Sequence, residues 1–358
     1  MNENVTSRNT NATSERTTVT SENIKKSINK NNKNALPIAI GTLLTVGVIV
    51  GLAVIAGAYY FFGSNKFFEE MHLDQDSVIK AVNERAGHYS LKVNKLFQGM
   101  SLSQITDVFK PSLSHGKLEP KCDVAALQNV KVPEHYNFYK EHKKCRFDQI
   151  SQKSSTGYVE ALVSTIKSRY CAIGHTEILP SVDFLLACDR EKNGKKAGYL
   201  TKVLERAVKT GIVTENAWNL LHKEDGKCLS DADIKRAQRV EIADFCFLTN
   251  PLNIKQEIVK SGPVISVIEP YLDFMLFDKG IYHFNQGQKL EGKVFVKIVG
   301  WGKDKDTEYW LVESTWGKNW AENGLAKVKM HEHGSFLDNT AVAVFPRMES
   351  IKDGSKSK

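Results

Sequence analysis

An unbroken apolar run near the N-terminus constrains the possible fold of this chain more than any other sequence feature. From Leu36 to Phe62 the sequence has 27 residues without a single charge, whereas about 20 apolar residues are enough for a helix to cross the hydrocarbon core of a bilayer. The run therefore predicts one membrane-spanning signal-anchor helix over residues 36–62. A cleaved signal peptide is the competing interpretation, since residues 56–58 resemble a cleavage site, but its apolar core would be too long.

The charges on the two sides of this run predict its orientation. Lysines cluster before it, between Lys25 and Lys33, whereas the residues that follow it soon become acidic from Glu69 onwards. Because positive charge is retained on the cytosolic side of a membrane, the N-terminus is expected in the cytosol. The polar tail 1–35 is expected to be disordered. We thus expect a single-pass type II membrane protein whose C-terminal part is lumenal or extracellular.

The net charge and the positions of the cysteines limit the partners and the compartment that this chain is expected to have. The net charge of +8 is mild for 358 residues, and acidic and basic residues are interleaved, so nucleic acid is not an expected partner. All six cysteines follow the apolar run, on the side where disulfides form and persist. Their spacing alone allows fifteen pairings.

The periodicity beyond the run changes from helical to extended. Two short amphipathic helices are predicted at 76–86 and 101–109, and longer ones at 158–170, 200–208 and 251–261. After Gly262 the pattern becomes a series of short apolar or alternating strands. Helices first and strands second predict an α+β domain with two halves and a ligand cleft between them.

A tryptophan- and glycine-rich motif links this pattern to a known family. Residues 298–324 read IVGWGKDKDTEYWLVESTWGKNWAENG, and Trp316, Gly317, Trp320 and Gly324 match the closing part of papain-family cysteine peptidases in type and spacing. Ser261-Gly-Pro-Val264, Tyr271-Leu-Asp-Phe274 and Gly280-Ile-Tyr282 resemble, in order and interval, the cathepsin B branch of that family.

The resemblance covers about residues 66–347 and implies a domain organisation. It implies a stalk and pro-region at 63–131, called the pro-region segment below, a papain-like domain at 132–347 and a flexible tail at 348–358. The implied fold is the papain-like one of two subdomains, with a helical left half and an antiparallel β-barrel right half.

The family's catalytic positions are substituted in this chain. Its members use a cysteine thiolate, a histidine that holds it as an ion pair and an asparagine that orients the histidine. Counting from the matching motifs places these positions at Gly157, Val294 and Ser314. The oxyanion glutamine falls at Ser151 by gapless counting, and we favour the neighbouring Gln152 over Gln149.

The resemblance also implies further site residues. The residues expected to line the cleft are Trp316, Trp320, Tyr158 and Gly198. The disulfides expected from the family are Cys145 with Cys171, and Cys228 with Cys246 closing a shortened cleft loop, which leaves Cys122 and Cys188 without an assigned partner.

We therefore expect a catalytically inactive homologue that binds a peptide or protein in the former substrate cleft. Its own pro-region segment is expected to stay attached and to occupy that cleft. The alternatives are an active peptidase with an unrecognised arrangement, for which hydroxyls at 154–156 lack a visible base, and a structural or assembly component. No cofactor is expected, and His331 and His333 are expected in an exposed turn rather than at a metal.

Overall fold

The computed structural model describes residues 72–84, 87–114, 119–147, 155–189, 198–221, 227–284, 289–333 and 335–347. The expected tail and membrane helix lie outside these residues, as does Gln152. Within the described ranges no helix is both long and apolar enough to cross a membrane. All of these residues belong to one compact unit, Lys66–Lys358.

The helices, in chain order, are α1 (Gln75–Asn83), α2 (Leu102–Phe109), α3 (Phe138–Glu141), α4 (Gly157–Ala172), α5 (Val182–Cys188), α6 (Leu200–Thr210), α7 (Glu215–Leu221), α8 (Asp231–Arg236), α9 (Pro251–Ser261) and α10 (Leu272–Met275). The strands are β1 (Tyr89–Leu91), β2 (Tyr136–Asn137), β3 (Ile212–Val213), β4 (Arg239–Val240), β5 (Ile242–Leu248), β6 (Val264–Ile268), β7 (Phe277–Tyr282), β8 (Val294–Asp304), β9 (Thr307–Ser314), β10 (Leu325–Lys329) and β11 (Ala341–Pro346).

The helix ends follow local capping chemistry. A capping box begins α2, since the Ser101 hydroxyl accepts from the Gln104 backbone N–H and the Gln104 side chain accepts from the Ser101 backbone N–H. The prediction for α1 was wrong at both ends. The helix spans Gln75–Asn83 rather than 76–86, and its N-cap is Asp74, whose carboxylate accepts from the Ser77 backbone N–H.

The strands form a large sheet rather than the expected all-antiparallel barrel. In the described residues the sheet has nine strands, in the order β1-β7-β10-β9-β8-β6-β11-β5, with β2 paired to β8. Its pairs are antiparallel except for β7 with β10. A parallel pair needs a long connection between its strands, and β8 and β9 supply that connection here.

Both faces of the central strands are buried, in two separate apolar clusters. Along β6, Val264 and Ile268 belong to the cluster that contains Trp316 and Trp320, whereas the intervening Ile265 belongs to the cluster formed with α4, α5 and α6. This alternation follows from the two-residue period of a strand. It explains why these strands are nearly continuous apolar runs in the sequence.

The segment Gly300-Trp301-Gly302 lies inside strand β8. The short strand β2 runs so close to it that a Cβ on Gly300 would lie 2.1 Å from the Tyr136 carbonyl oxygen. Glycine is therefore required there for the approach of the neighbouring backbone rather than for a change of chain direction.

Three disulfides join the six cysteines. The expected bridge between Cys145 and Cys171 is confirmed and ties the segment before α4 to the end of that helix. The expected bridge between Cys228 and Cys246 was wrong. Cys228 pairs with Cys188 at the end of α5, and Cys246 pairs with Cys122. The physical reason is that Cys246 lies in β5, beside the backbone of Cys122.

Candidate functional site

The three residues predicted at the catalytic positions meet where α4 begins and where β8 and β9 approach it. Gly157 is the first residue of α4, and the next side chain, Tyr158, packs on Phe295 of β8 with 6.1 Å between ring centroids. Val294 precedes Phe295, and Ser314 at the end of β9 pairs with Val296 in the register of the sheet. The positions inferred by counting are thus brought together.

None of these three residues has a thiol, an imidazole or an amide side chain. Gly157 has no side chain, and Val294 is 3% exposed within the apolar cluster that contains Trp316. The Ser314 hydroxyl accepts a hydrogen bond from the Trp316 backbone N–H at 3.0 Å and so stabilises the turn between these residues. Among the described residues no cysteine is free, since each of the six is in a disulfide.

The pro-region segment lies along this site. Phe97 and Phe109 pack on Trp316, with ring centroids 5.3 and 6.2 Å away. The Phe109 carbonyl oxygen accepts from the Lys293 backbone N–H at 2.8 Å, next to the base position. A Cβ on Gly292, whose φ is +103°, would lie only 2.1 Å from that oxygen, so glycine permits the approach.

The segment then continues as an extended strand against the other wall of the cleft. Ser112 donates its backbone N–H to the Gly198 carbonyl at 2.8 Å and accepts from the Leu200 backbone N–H at 3.0 Å. The pairing of Ser112 with Tyr199 is parallel. Leu113 follows and is buried in the cluster that contains α4 and α6.

The four expected cleft residues have different roles. Trp316 contacts the segment, and Gly198 binds its backbone. Trp320, 1% exposed, lies behind Trp316 and donates its indole N–H to the Phe274 carbonyl at 3.1 Å. Tyr158 is also buried and donates its hydroxyl to Asp189.

Asp189 was missed by sequence reasoning, although it supports the cleft wall. One carboxylate oxygen, Oδ2, accepts from the Tyr158 hydroxyl and from the Gly198 backbone N–H, the latter at 3.1 Å. It thereby fixes Gly198 relative to the start of α4. Nothing in the sequence around Asp189 distinguishes it from an ordinary helix-end aspartate.

A buried polar cluster lies behind the site, between α4 and the sheet. Lys297 of β8 forms an ion pair with Glu313 of β9, and both side chains are 4% exposed. The Lys297 ammonium also donates to the Ser164 and Ser168 hydroxyls of α4, at 2.6 and 3.2 Å. Burial, reinforced by Glu313, raises the pKa of Tyr139, whose hydroxyl donates to Glu313 at 2.6 Å.

A half-buried acid, Glu160, lies in the first turn of α4. The Thr156 hydroxyl donates to Glu160 Oε1 at 2.7 Å, while Oε2 is out of solvent and has no hydrogen-bond partner among the described residues. Burial raises the pKa of Glu160 to about 7, and the Thr156 hydrogen bond opposes that rise. Glu160 lines a small cavity together with Ser314 and Thr315.

The side chain of His331, expected in an exposed turn, is 63% exposed, and its Nε2 lies 3.7 Å from Glu308. His283, at the end of β7, is 13% exposed and pairs through Nδ1 with Glu332 at 3.0 Å. Burial lowers its pKa. The described residues contain no group of three or more side chains able to hold a metal ion.

The family assignment follows from the fold together with this cleft. Residues 132–345 match the model of the papain family of cysteine proteases, and the chain belongs to that family. Among its relatives is "Cathepsin B-like CP3" of Giardia intestinalis, 25% identical over 265 residues that cover 70% of this chain and 86% of the relative. A gut-specific cysteine proteinase of Caenorhabditis elegans is 35% identical over 94 residues, covering 26% of this chain and 28% of that protein.

Solved proenzymes share the fold. Procathepsin B S9 of Trypanosoma congolense superposes with a TM-score of 0.64 at 20% identity, covering 77% of this chain and 99% of that one. Digestive procathepsin L 3 of Tenebrio molitor superposes with a TM-score of 0.57 at 15% identity, covering 75% of this chain and 86% of that one. These likenesses show that the fold is shared.

Proposed function

We propose that this chain is a non-catalytic member of the papain family that binds an extended peptide or protein segment in the former substrate cleft. The first occupant of that cleft is its own pro-region segment. The proposal applies to the cleft between Gly198 on one side and Trp316 on the other.

The state of the cysteines carries the proposal. Papain-type chemistry begins with a thiolate, and an ionised thiol requires a free cysteine beside a base. This chain has six cysteines, and three disulfides account for all of them. With Gly157 and Val294 at the positions of nucleophile and base, no group remains to attack a peptide bond in the manner of the family.

The hydrogen-bonding groups of the cleft wall also support the proposal. The cleft wall still offers a backbone carbonyl and a backbone N–H, both of which Ser112 uses. Main-chain hydrogen bonds of this kind recognise any extended peptide, and neighbouring pockets add selectivity. Asp189 holds this wall in place through Gly198. A site that has lost its reactive groups and keeps its peptide-binding wall is suited to binding.

One observation favours the alternative of an active hydrolase. Thr156 precedes the former nucleophile position and already donates its hydroxyl to a carboxylate, that of Glu160, whose pKa lies near neutrality. A hydroxyl beside a base is the minimum for nucleophilic attack. However, Thr156 is only 8% exposed and the bond is also a normal contact within the first turn of a helix, so we favour a structural role.

A direct test combines binding with reconstitution. A fluorescein-labelled synthetic peptide of residues 105–114 should bind the domain freed of its pro-region segment and should bind the uncut chain much more weakly. Gly157→Cys alone should not restore hydrolysis of dipeptidyl substrates, because no imidazole would be present to hold the thiolate as an ion pair and to protonate the leaving amine. The freed domain failing to bind the peptide would contradict the proposal.

We also propose that the chain is held in the membrane as a type II protein through residues 36–62. The two sequons, beginning at Asn4 and Asn11, then lie on the cytosolic side. The protein should carry no N-glycan, and a glycosidase should leave its electrophoretic mobility unchanged. A glycan mapped to either asparagine would reverse the orientation.

A further inference from the structure

One disulfide connects the pro-region segment to the family domain. Cys122 precedes residue 132, where the family match begins, and its partner Cys246 lies in β5, 124 residues further along the chain. We propose that this bridge retains the pro-region segment on the domain after the backbone between Cys122 and Val132 has been cut. Opening the cleft then requires a dithiol reductant in addition to a protease. This inference holds whether or not the cleft has catalytic activity.

The backbone between the bridge and the domain is the accessible part of this region. Residues 123–126 are exposed, as are Gln128, Asn129 and Lys131, while Leu127 is buried and anchors the stretch to the core. Exposed stretches between anchored points are the preferred sites of proteolytic cleavage. A protease acting in trans therefore has a target on the C-terminal side of Cys122.

Every cleft contact of the segment lies on the N-terminal side of the bridge. The pairing of β1 with β7, the packing of Phe97 and Phe109 on Trp316, and the hydrogen bonds of Ser112 all precede Cys122. A cut after Cys122 leaves these contacts on one fragment. Without the bridge that fragment could dissociate on dilution. With the bridge it stays at a high effective concentration, on the order of millimolar.

Backbone hydrogen bonds to strand β5 hold the bridge in position. Cys122 donates its backbone N–H to the Phe247 carbonyl at 3.0 Å, and Phe247 donates to the Pro120 carbonyl at 2.8 Å. These bonds form an isolated parallel bridge between Lys121 and Phe247, alongside β5. Cys246 is 8% exposed, whereas Cys122 is partly exposed, so a reductant approaches from the Cys122 side.

Reduction would proceed by thiol–disulfide exchange. A thiolate of a dithiol reductant attacks one sulfur and forms a mixed disulfide, and its second thiol then displaces the protein sulfur. Two electrons pass from the dithiol to the bridge, giving two protein thiols and one oxidised reductant. In an oxidising compartment this reaction does not occur, and the pro-region segment stays on the domain.

The test uses the full chain with an N-terminal affinity tag and a seven-residue site for a sequence-specific protease inserted between Asn129 and Val130. After cleavage on the affinity resin, non-denaturing washes should release almost no domain from the parent chain. The double variant Cys122→Ser/Cys246→Ser should release at least tenfold more. The matched control Cys188→Ser/Cys228→Ser also loses one bridge, but one that lies wholly inside residues 132–345, and it should retain the domain like the parent.

Two outcomes would overturn the inference. One is release of the domain from the cleaved parent without reductant. The other is full retention by the double variant through repeated washing, which would show that the non-covalent contacts suffice. If the double variant fails to fold, graded dithiothreitol on the cleaved parent replaces it, with thiol alkylation mapped by mass. Release should then follow alkylation of Cys122 rather than of Cys188, and the reverse order would contradict the inference.

Discussion

Lys297 and Glu313 are neighbours on adjacent strands. Because both side chains are buried, each charge needs the other to compensate it. A buried charge left without its partner costs far more than the pair contributes. The sequence contained a signal for the pair, since a lysine interrupts the apolar run of β8 and a glutamate that of β9. Pairing could not be inferred, because it requires the register of the two strands.

We expect Lys297→Met to lower the free energy of unfolding by about 3–5 kcal/mol, because it leaves Glu313 buried and uncompensated. The double variant Lys297→Met/Glu313→Leu should recover most of that loss. The control Arg236→Met removes one partner of an exposed pair with Asp233, whose arginine side chain is 76% exposed, and should change stability by less than about 1 kcal/mol. Chemical denaturation measures all three. Equal losses in the single and double variants would contradict the account.

Glu160 predicts a dependence of stability on pH. Because burial raises its pKa from 4.5 to about 7, the native state holds a proton in this interval that the unfolded state has released. Stability from this group is therefore present below about pH 4.5 and lost as the pH rises towards 7. Glu160→Gln should stabilise the protein by about 1–2 kcal/mol at pH 8, discounted for partial exposure, and by little at pH 4.5.

Unfolding curves at both pH values test this, with Glu134→Gln as the control because the Glu134 side chain is 77% exposed. A stabilisation that is the same at the two pH values would contradict the expected role of Glu160. Neither this carboxyl nor its contact with Thr156 was expected from the sequence, since the contact arises only when α4 begins at Gly157.

At the scale of elements, the long helices and the central strands could be predicted, because each has a regular apolar period and glycine or proline at its ends. Helix α9 begins at Pro251 and is capped by Gly262, as expected. Strand β7 was not predicted. It contains exposed or half-buried polar residues such as Lys279 and becomes a strand through pairing with β1 and β10. Such pairing is tertiary and leaves little periodic signal.

The contact between α2 and the edge of β8 depends on Gly292, and we expect Gly292→Ala to weaken it. The new Cβ would meet the Phe109 carbonyl, and the positive φ adds strain. Gly174→Ala is a matched control, because Gly174 also has a positive φ, +97°, but nothing lies within 4 Å of its Cβ position.

Hydrogen exchange at the Lys293 amide, which donates to Phe109, measures this effect. Exchange at this amide should be about tenfold faster or more in Gly292→Ala, corresponding to at least ~1.4 kcal/mol of local stability, and nearly unchanged in Gly174→Ala. Unchanged exchange in Gly292→Ala would mean that the pro-region segment does not rest on this edge.

At the scale of the whole molecule, the resemblance predicted the family and one of the three disulfides. It did not predict the other two, since it joined Cys228 to Cys246 and left Cys122 and Cys188 without partners. The residues from 229 to 245 instead form α8, β4 and most of β5, which carries Cys246 to the N-terminal segment. Pairing in this chain is determined by which strands lie side by side.

The central claim also concerns the whole molecule: the domain binds peptide without cutting it. The measurement is turnover of dipeptidyl substrates and of an internally quenched peptide mixture by the domain freed of its pro-region segment, from pH 4 to 8. An active cathepsin B treated in parallel serves as the positive control. We expect no turnover above the buffer blank and no labelling by a thiol-directed epoxide. Turnover that co-purifies with the domain, and that Thr156→Val or Glu160→Gln abolishes, would contradict the claim.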